Sequence, residues 1–457
     1  MSDESKSKSF NPVEEWIPLP KAIPLGLQHV LAMFVGNITV PIIIAGIIGA
    51  DAAERTFLIQ AALLGSGIAT LIQAYGIGPV GARLPVVQGT SFAFLPLLIP
   101  LAKNYGMDAV IGASIFGGLV QVVLGFYIGS LKRWFPPLVT GIVVASIGLT
   151  QIKVAYWYAG GGKGLHDKNP EAWATPDQVG IAILVLLVTL VVRETTKGIV
   201  SQAAVLIGMG VGYVVSIFMG LVNPSIISEA SWVSLPQPFH YGLELPAIAI
   251  IGMVIMAVVT TIETVGDTNG ITSGGAGRDA TPKELKGAIL GDAVGTLIAA
   301  VLNALPNTSY TQNVGLVALT KVISRWVVVV GSFFLIAGGL IPKLGAIIAA
   351  MPACVLGGAA IFMFGMVATA GMKLMTAEKF TSRNMMIAAL SISFALGLSI
   401  VPEFLDKIFN KENGLAIIAQ LLTSGIIPSA VIAVVLNAVI PPEETKADNI
   451  SEAVEQN

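Results

Sequence analysis

Three acidic residues of this chain lie in stretches that are otherwise almost wholly apolar. Glu263 and Asp267, in MAVVTTIETVGDTNG, are four residues apart and share one face of a helix. Asp292 opens a second such stretch, LKGAILGDAVGTLIAAVLN. A carboxylate in hydrocarbon costs roughly 2.5–3.5 kcal/mol on insertion scales, so each is a functional candidate by default, as an acceptor for a ligand N–H or as a proton carrier. Plainer roles stand beside these: Asp267 solvated at the end of its helix, and Asp292 bonding unwound backbone. His29, in LGLQHVLAMFVGN, has the one side chain whose ordinary titration falls near neutral pH, although a buried histidine bonded to a neighbour is the commoner case.

Gln312 and Asn313 precede a short apolar segment, where a helix start presents free N–H groups and the positive end of its dipole. Side-chain amides there offer both donor and acceptor, which suits a planar ligand edged by alternating C=O and N–H; ordinary helix capping is the simpler alternative. Phe92, in Gly89-Thr90-Ser91-Phe92-Ala93-Phe94, precedes a second short segment and could stack on the face of such a ligand.

The elements that position these groups follow from composition. Hydrophobic residues make up 54% of 457, charged residues only 11%, and mean hydropathy is +0.83, so lipid must be the solvent for most of the surface. Apolar runs of crossing length predict an all-α polytopic membrane protein with about fourteen transmembrane spans. With both termini cytoplasmic, 17 of the 25 Lys and Arg residues fall on the cytoplasmic side, as the positive-inside bias requires. Residues 1–24 and 441–457 then read as cytoplasmic tails. The third span (89–101) and the tenth (312–323) are short, and each follows irregular polar sequence, Leu84 to Ser91 and Leu305 to Asn313. Gln88 and Gln312 are 224 residues apart, close to half the chain, with seven spans between the two segments. An odd number of spans per copy inverts the second copy, so the pattern is a 7+7 inverted repeat with broken third and tenth spans, typical of secondary transporters. Net charge of -2 without a long basic block argues against nucleic acid. The single cysteine, Cys354, permits no intrachain disulfide or Cys-based metal cage. No HExxH, GxSxG or P-loop pattern supports an enzyme or an ATP-driven pump, and no cofactor is called for.

Gln312-Asn313-Val314-Gly315, four further residues, then Thr320-Lys321 match the signature of the nucleobase/ascorbate transporter family, Q/E/P-N-x-G, four free positions, then T and R/K/G. Leu27 to Val30, Gly89 to Phe94, Glu263 to Asp267 and Asp292 resemble its other marked positions in the same order. The resemblance implies a core domain of spans one to four (25–128) and eight to eleven (245–340), a gate domain of spans five to seven (129–222) and twelve to fourteen (344–440), and a homodimer. It places substrate between the third and tenth spans, with Glu263 and Gln312 on its polar edge, Phe92 on its face, and backbone around Tyr310 and Thr311 adding contacts beside Asn313. Asp267, Asp292 and His29 would serve proton coupling or support the site. Uracil permeases of the family carry Glu where Gln312 stands and His where Asp267 stands, so this chain is similar to the purine branch. The expectation is a proton-symporting importer in the inner membrane, working by an elevator-like movement of core against gate, for xanthine ahead of uric acid. A pyrimidine permease or a Na+-coupled carrier is the alternative within transport; a channel or a membrane enzyme is the alternative outside it.

Overall fold

A computed structural model describes residues 12–131, 134–377, 379–406, 408–409 and 416–441. The expected orientation rests partly on Lys6, Lys8, Lys132, Arg133, Lys407, Lys411 and Lys446, which lie outside the described residues, as do most of the two tails. Within the described chain the structure is helical apart from loops and two three-residue strands, β1 (Gln88–Thr90) and β2 (Asn307–Ser309). The main helices are α1 (Leu19–Ile48), α2 (Ala52–Tyr75), α3 (Leu95–Tyr105), α4 (Met107–Leu131), α5 (Pro137–Ala159), α6 (Pro176–Thr195), α7 (Ala204–Phe218), α8 (Ala247–Ala276), α9 (Pro282–Val301), α10 (Thr311–Thr320), α11 (Arg325–Leu340), α12 (Ala353–Met375), α13 (Ser382–Ile400) and α14 (Ile426–Val439). Eight of these, α1, α2, α4, α5, α6, α8, α12 and α13, are each long and apolar enough to cross a bilayer.

Several expected spans divide where backbone chemistry demands it. The region expected as a twelfth span, 344–370, is two helices: Pro342–Ala349, bent by 78° from α11, and α12, which begins behind Pro352. Proline lacks the N–H that would continue a preceding helix, so Pro342 and Pro352 start new ones. The run expected at 415–436 is interrupted at Gly425, whose φ of 73° falls in the left-handed region and whose missing Cβ leaves room for the Ala395 carbonyl. Expected span 199–222 is likewise split at Ala203, between the helix Gly198–Gln202 and α7.

Small residues set the closest packing. Gly148 of α5 meets the backbone of Ala368 on α12, Gly371 of α12 meets the backbone of Ala145, and Gly357 meets Ala159, so α5 and α12 lie almost backbone to backbone. Gly26 of α1 and Gly331 of α11 meet similarly, and a Cβ on Gly331 would stand 2.9 Å from the Gly26 carbonyl. Elsewhere α2 packs on α11 and α9, and α4 on α9 and α8, whereas α6 packs on α7 and α12, and α14 on α13 and α5.

Candidate functional site

Every residue of the two strands is buried among the helices, and the problem they must solve is unpaired backbone away from water. They pair antiparallel, with Gln88 opposite Ser309 and Thr90 opposite Asn307. Flanking bonds run from Ser91 N–H to the Pro306 carbonyl (2.9 Å) and from Tyr310 N–H to the Val87 carbonyl (3.0 Å). The outer edge of each strand is closed by one threonine. Thr70 Oγ1 of α2 accepts from the Gln88 N–H at 2.9 Å and donates to the Gln88 carbonyl at 3.2 Å. Thr296 Oγ1 of α9 does the same for Asn307, at 3.1 and 3.0 Å. Asn37 of α1 adds a clamp, its Oδ1 accepting from Thr90 N–H at 2.8 Å and Thr90 Oγ1 at 3.0 Å while its Nδ2 donates to Ser66 at 2.9 Å.

Around this pair stand the acidic residues, each differently employed. Asp292 of α9 is fully buried and accepts from Gln88 Nε2 and the Thr264 hydroxyl, with Gln73 Nε2 and Thr308 Oγ1 at 3.4 Å, so it ties α2, α8, α9 and both strands together. Asp267 is also buried, and its oxygens accept from Ser309 Oγ at 2.7 Å and Thr311 Oγ1 at 2.8 Å across the junction of β2 and α10. The solvated alternative for Asp267 is thereby removed. Glu263 makes no hydrogen bond among the described residues, and its Oε2 is buried without a partner; its near charged neighbours are Asp267 and Asp292. Helices α8 and α10 run side by side in a fixed register, Asp267 on Thr311, Gly270 on Val314 and Gly274 on Ala318. One turn earlier on α8, Glu263 falls at the level of β2, before the positive end of α10.

His29 is buried, and Asn313 Nδ2 donates to its Nδ1 (3.0 Å) and to its backbone carbonyl (3.3 Å). Reversing the amide would set Asn313 Oδ1 against a carbonyl, so the assignment stands and the ring proton lies on Nε2. Asn313 thus pins α10 to α1, and His29 takes the bonded role that its burial suggested. The rest of the signature is equally concrete. Lys321 ends α10 at a φ of 59° and donates to the Gly274 carbonyl at 2.7 Å, and the Thr320 hydroxyl bonds back to Leu316 at 2.9 Å.

A cavity of about 540 Å³ runs in between α1, α8 and α10 on one wall and α6, α7 and α12 on the other. Thr311 and Gln312 lie on it, and the Gln312 side chain forms no hydrogen bond among the described residues. Gly315 faces the same space, where a Cβ would meet nothing within 4 Å. Phe92 and Tyr310 are buried beside the strands rather than on the cavity wall. Their rings meet over Gly36 of α1, where a Cβ would stand 2.7 Å from Tyr310 and 3.3 Å from Phe92. The Tyr310 hydroxyl donates to the Thr90 carbonyl at 2.7 Å, and Phe92 sits edge-on to Phe364 of α12 at 4.8 Å. A second cavity, about 210 Å³, lies toward the other end of α1, between α1, α3, α5 and α13.

Sequence reasoning passed over Thr70, Thr296, Asn37, Gln73 and Thr264. A signal for the first two was present: Thr70-Leu71-Ile72 and Thr296-Leu297-Ile298 repeat the same three residues 226 positions apart, each followed after a short stretch by a Leu-Pro, Leu84-Pro85 and Leu305-Pro306.

Apolar helices of crossing length around a buried polar strand pair define an integral membrane protein, and the proteins it matches make it a permease rather than an enzyme. It belongs to the Permease family of xanthine and uric acid permeases, whose profile matches residues 20–404. It is 35% identical to the uric acid transporter UacT of Escherichia coli (strain K12) over 99% of this chain and 93% of that one. With the xanthine permease of Bacillus subtilis (strain 168) it shares 34% identity over 92% of this chain and 93% of the relative. In fold it is similar to the transmembrane domain of the cyanobacterial bicarbonate transporter BicA, with a TM-score of 0.57 over 93% of this chain and all of that one at 14% identity.

Proposed function

We propose that this permease imports an oxidised purine, xanthine or uric acid, by proton symport. The observation that carries the reading is an unbonded Gln312 amide on the wall of the larger cavity together with a buried Glu263 Oε2 that has no partner among the described residues and lies off that wall, at the level of β2. A purine edge carries C=O and N–H groups side by side; Gln312 matches the first and Glu263 accepts from the second. Every other acidic group near the strands is already engaged by protein donors, which leaves Glu263 as the carboxylate able to exchange a proton with substrate or solvent. Asn313, Thr311, Tyr310, Asp267, Asp292 and His29 hold the strands and α10 in place, and Phe92 closes over the purine face when the site is occupied. The names of the relatives supply the substrate class.

In this reading the chain is a 7+7 inverted repeat, with β1–α3 and β2–α10 as the two broken spans. The matched threonine clamps on Gln88 and Asn307 support that symmetry. A core domain (25–128 and 245–340) moves against a gate domain (129–222 and 344–440), so that the site between the strands meets first one cavity and then the other. The grouping of helices in close packing supports the division, except that helix Pro342–Ala349 packs on α2. The protein acts as a homodimer in the inner membrane with both termini cytoplasmic. The test is uptake of labelled xanthine into proteoliposomes under imposed pH or Na+ gradients, with unlabelled purines and pyrimidines as competitors. Uptake driven by Na+ alone, or competed by uracil before any purine, would reject the reading.

A further inference from the structure

Charged residues on these two cavities share one sign. The larger cavity is lined by Arg193, Lys321 and Lys373 and the smaller one by Lys153 and Lys163, and neither has an Asp or Glu among its described lining residues. A positive excess on one side of a membrane protein is ordinary, but these groups stand toward opposite ends of α1, so the side bias of basic residues does not explain both. Four of the five are partly occupied: Lys321 by the Gly274 carbonyl, Lys153 by the Ser399 carbonyl, Lys163 over the Trp157 ring at 4.2 Å, and Arg193 over the Phe362 ring at 6.0 Å. Arg193 and Lys373 flank the larger cavity without a carboxylate partner there. Walls of low dielectric focus such charge into the water between them.

Resting on the purine reading above, the geometry points to selection by charge: both approaches recruit the monoanion of the substrate, so that urate, ionised at mildly acidic to neutral pH, is preferred over xanthine, which is then largely uncharged. This reverses the order expected from the sequence, xanthine ahead of uric acid. Charge balance at the strands follows. A monoanion beside Glu263 requires a proton on that carboxylate, because two negative charges repel in a poorly hydrated site. One urate and one proton then cross together with no net charge, whereas neutral xanthine with one proton carries one positive charge.

The test uses the full-length protein in liposomes at mildly acidic pH, with labelled urate and labelled xanthine measured separately. For Arg193→Gln/Lys373→Gln, KM for urate should rise at least about threefold while KM for xanthine moves less than about twofold, and added salt should erase the wild-type advantage of urate. Arg193→Lys/Lys373→Arg, which keeps the charge, should behave as wild type and so controls for misfolding. An inside-negative potassium diffusion potential should speed xanthine uptake and leave urate uptake unchanged. Equal shifts for both purines, no shift for either, or equal responses to the potential would overturn charge selection while leaving purine transport standing. Failure of the wild type to carry either purine would overturn the purine reading itself.

Discussion

Glu263 and Asp292 are both carboxylates in the interior of the bundle, and their surroundings separate them. Asp292 receives donors from four side chains, so its role is to hold strands and helices together. Glu263 receives none, and a buried acceptor without a donor is a group whose partner comes from elsewhere. Glu263→Gln should therefore abolish concentrative uptake, since an amide cannot take up and release the proton that Glu263 carries with the substrate. Gradient-driven accumulation by a Gln variant at wild-type surface density would refute this. At Gln312 the change is one of polarity. In Gln312→Glu an ionised carboxylate faces the purine carbonyl, and affinity for xanthine should fall at least about tenfold, or 1.4 kcal/mol. Inhibition constants for xanthine, urate, hypoxanthine and uracil check it, and an unchanged panel would leave Gln312 as a helix-start residue only. Both residues stood out in the sequence because amides and acids are rare in apolar runs. Asn37, Thr70 and Thr296 did not, because a single small polar residue in a span is common and its partner is backbone or side chain of an interruption that only the tertiary fold brings to it.

At the scale of elements, the strand pair depends on two hydroxyls that close its edges. Thr296→Val keeps the shape of the side chain but leaves the Asn307 N–H and carbonyl without their partner, at about 1–3 kcal/mol for each buried group left unpaired. Thr70→Val should cost a similar amount at Gln88. Thermal unfolding of the purified variants in detergent measures this, and stability equal to wild type would show that the strand edges need no clamp. The start of α9 gives a pH-dependent case outside the membrane. Thr281 and Glu284 form a capping box there, and Arg278 reaches Glu284 at 2.6 and 2.8 Å. Partial burial alone would raise the carboxyl, but the hydrogen bonds from Arg278 and Thr281 outweigh it and hold Glu284 below its ordinary value of 4.5. A depressed acid stabilises the fold above its unfolded value and loses that contribution as pH falls through the folded one. Wild type should thus be more stable than Glu284→Gln at neutral pH, with the difference shrinking below pH 4.5. A gap independent of pH would assign the effect to packing.

For the whole molecule, the expected topology makes one clean statement: seven spans precede Asn223 and eight precede Asp279. Cysteine introduced at Asn223 should react with an impermeant maleimide added to intact cells, and cysteine at Asp279 should react only after the membrane is opened. The reverse pattern would invert the protein in the membrane and with it the direction in which the larger cavity faces. Apolar runs of crossing length, the excess of Lys and Arg on alternate connections, and two interrupted segments half a chain apart were all legible in the sequence, since they depend on local composition and the fixed thickness of lipid. So was the family signature, in which Asn313, Thr320 and Lys321 proved to pin α10 to α1, close it, and cap α8. Three-dimensional contacts alone decided that the interruptions pair as strands, that Asp267 is buried and bonded rather than solvated, and that Phe92 lies under Phe364. They also decided that basic residues from helices distant in sequence line the larger cavity. The reason is physical: whether a buried polar group costs or contributes free energy depends on the partner brought to it, and these partners lie up to 284 residues away.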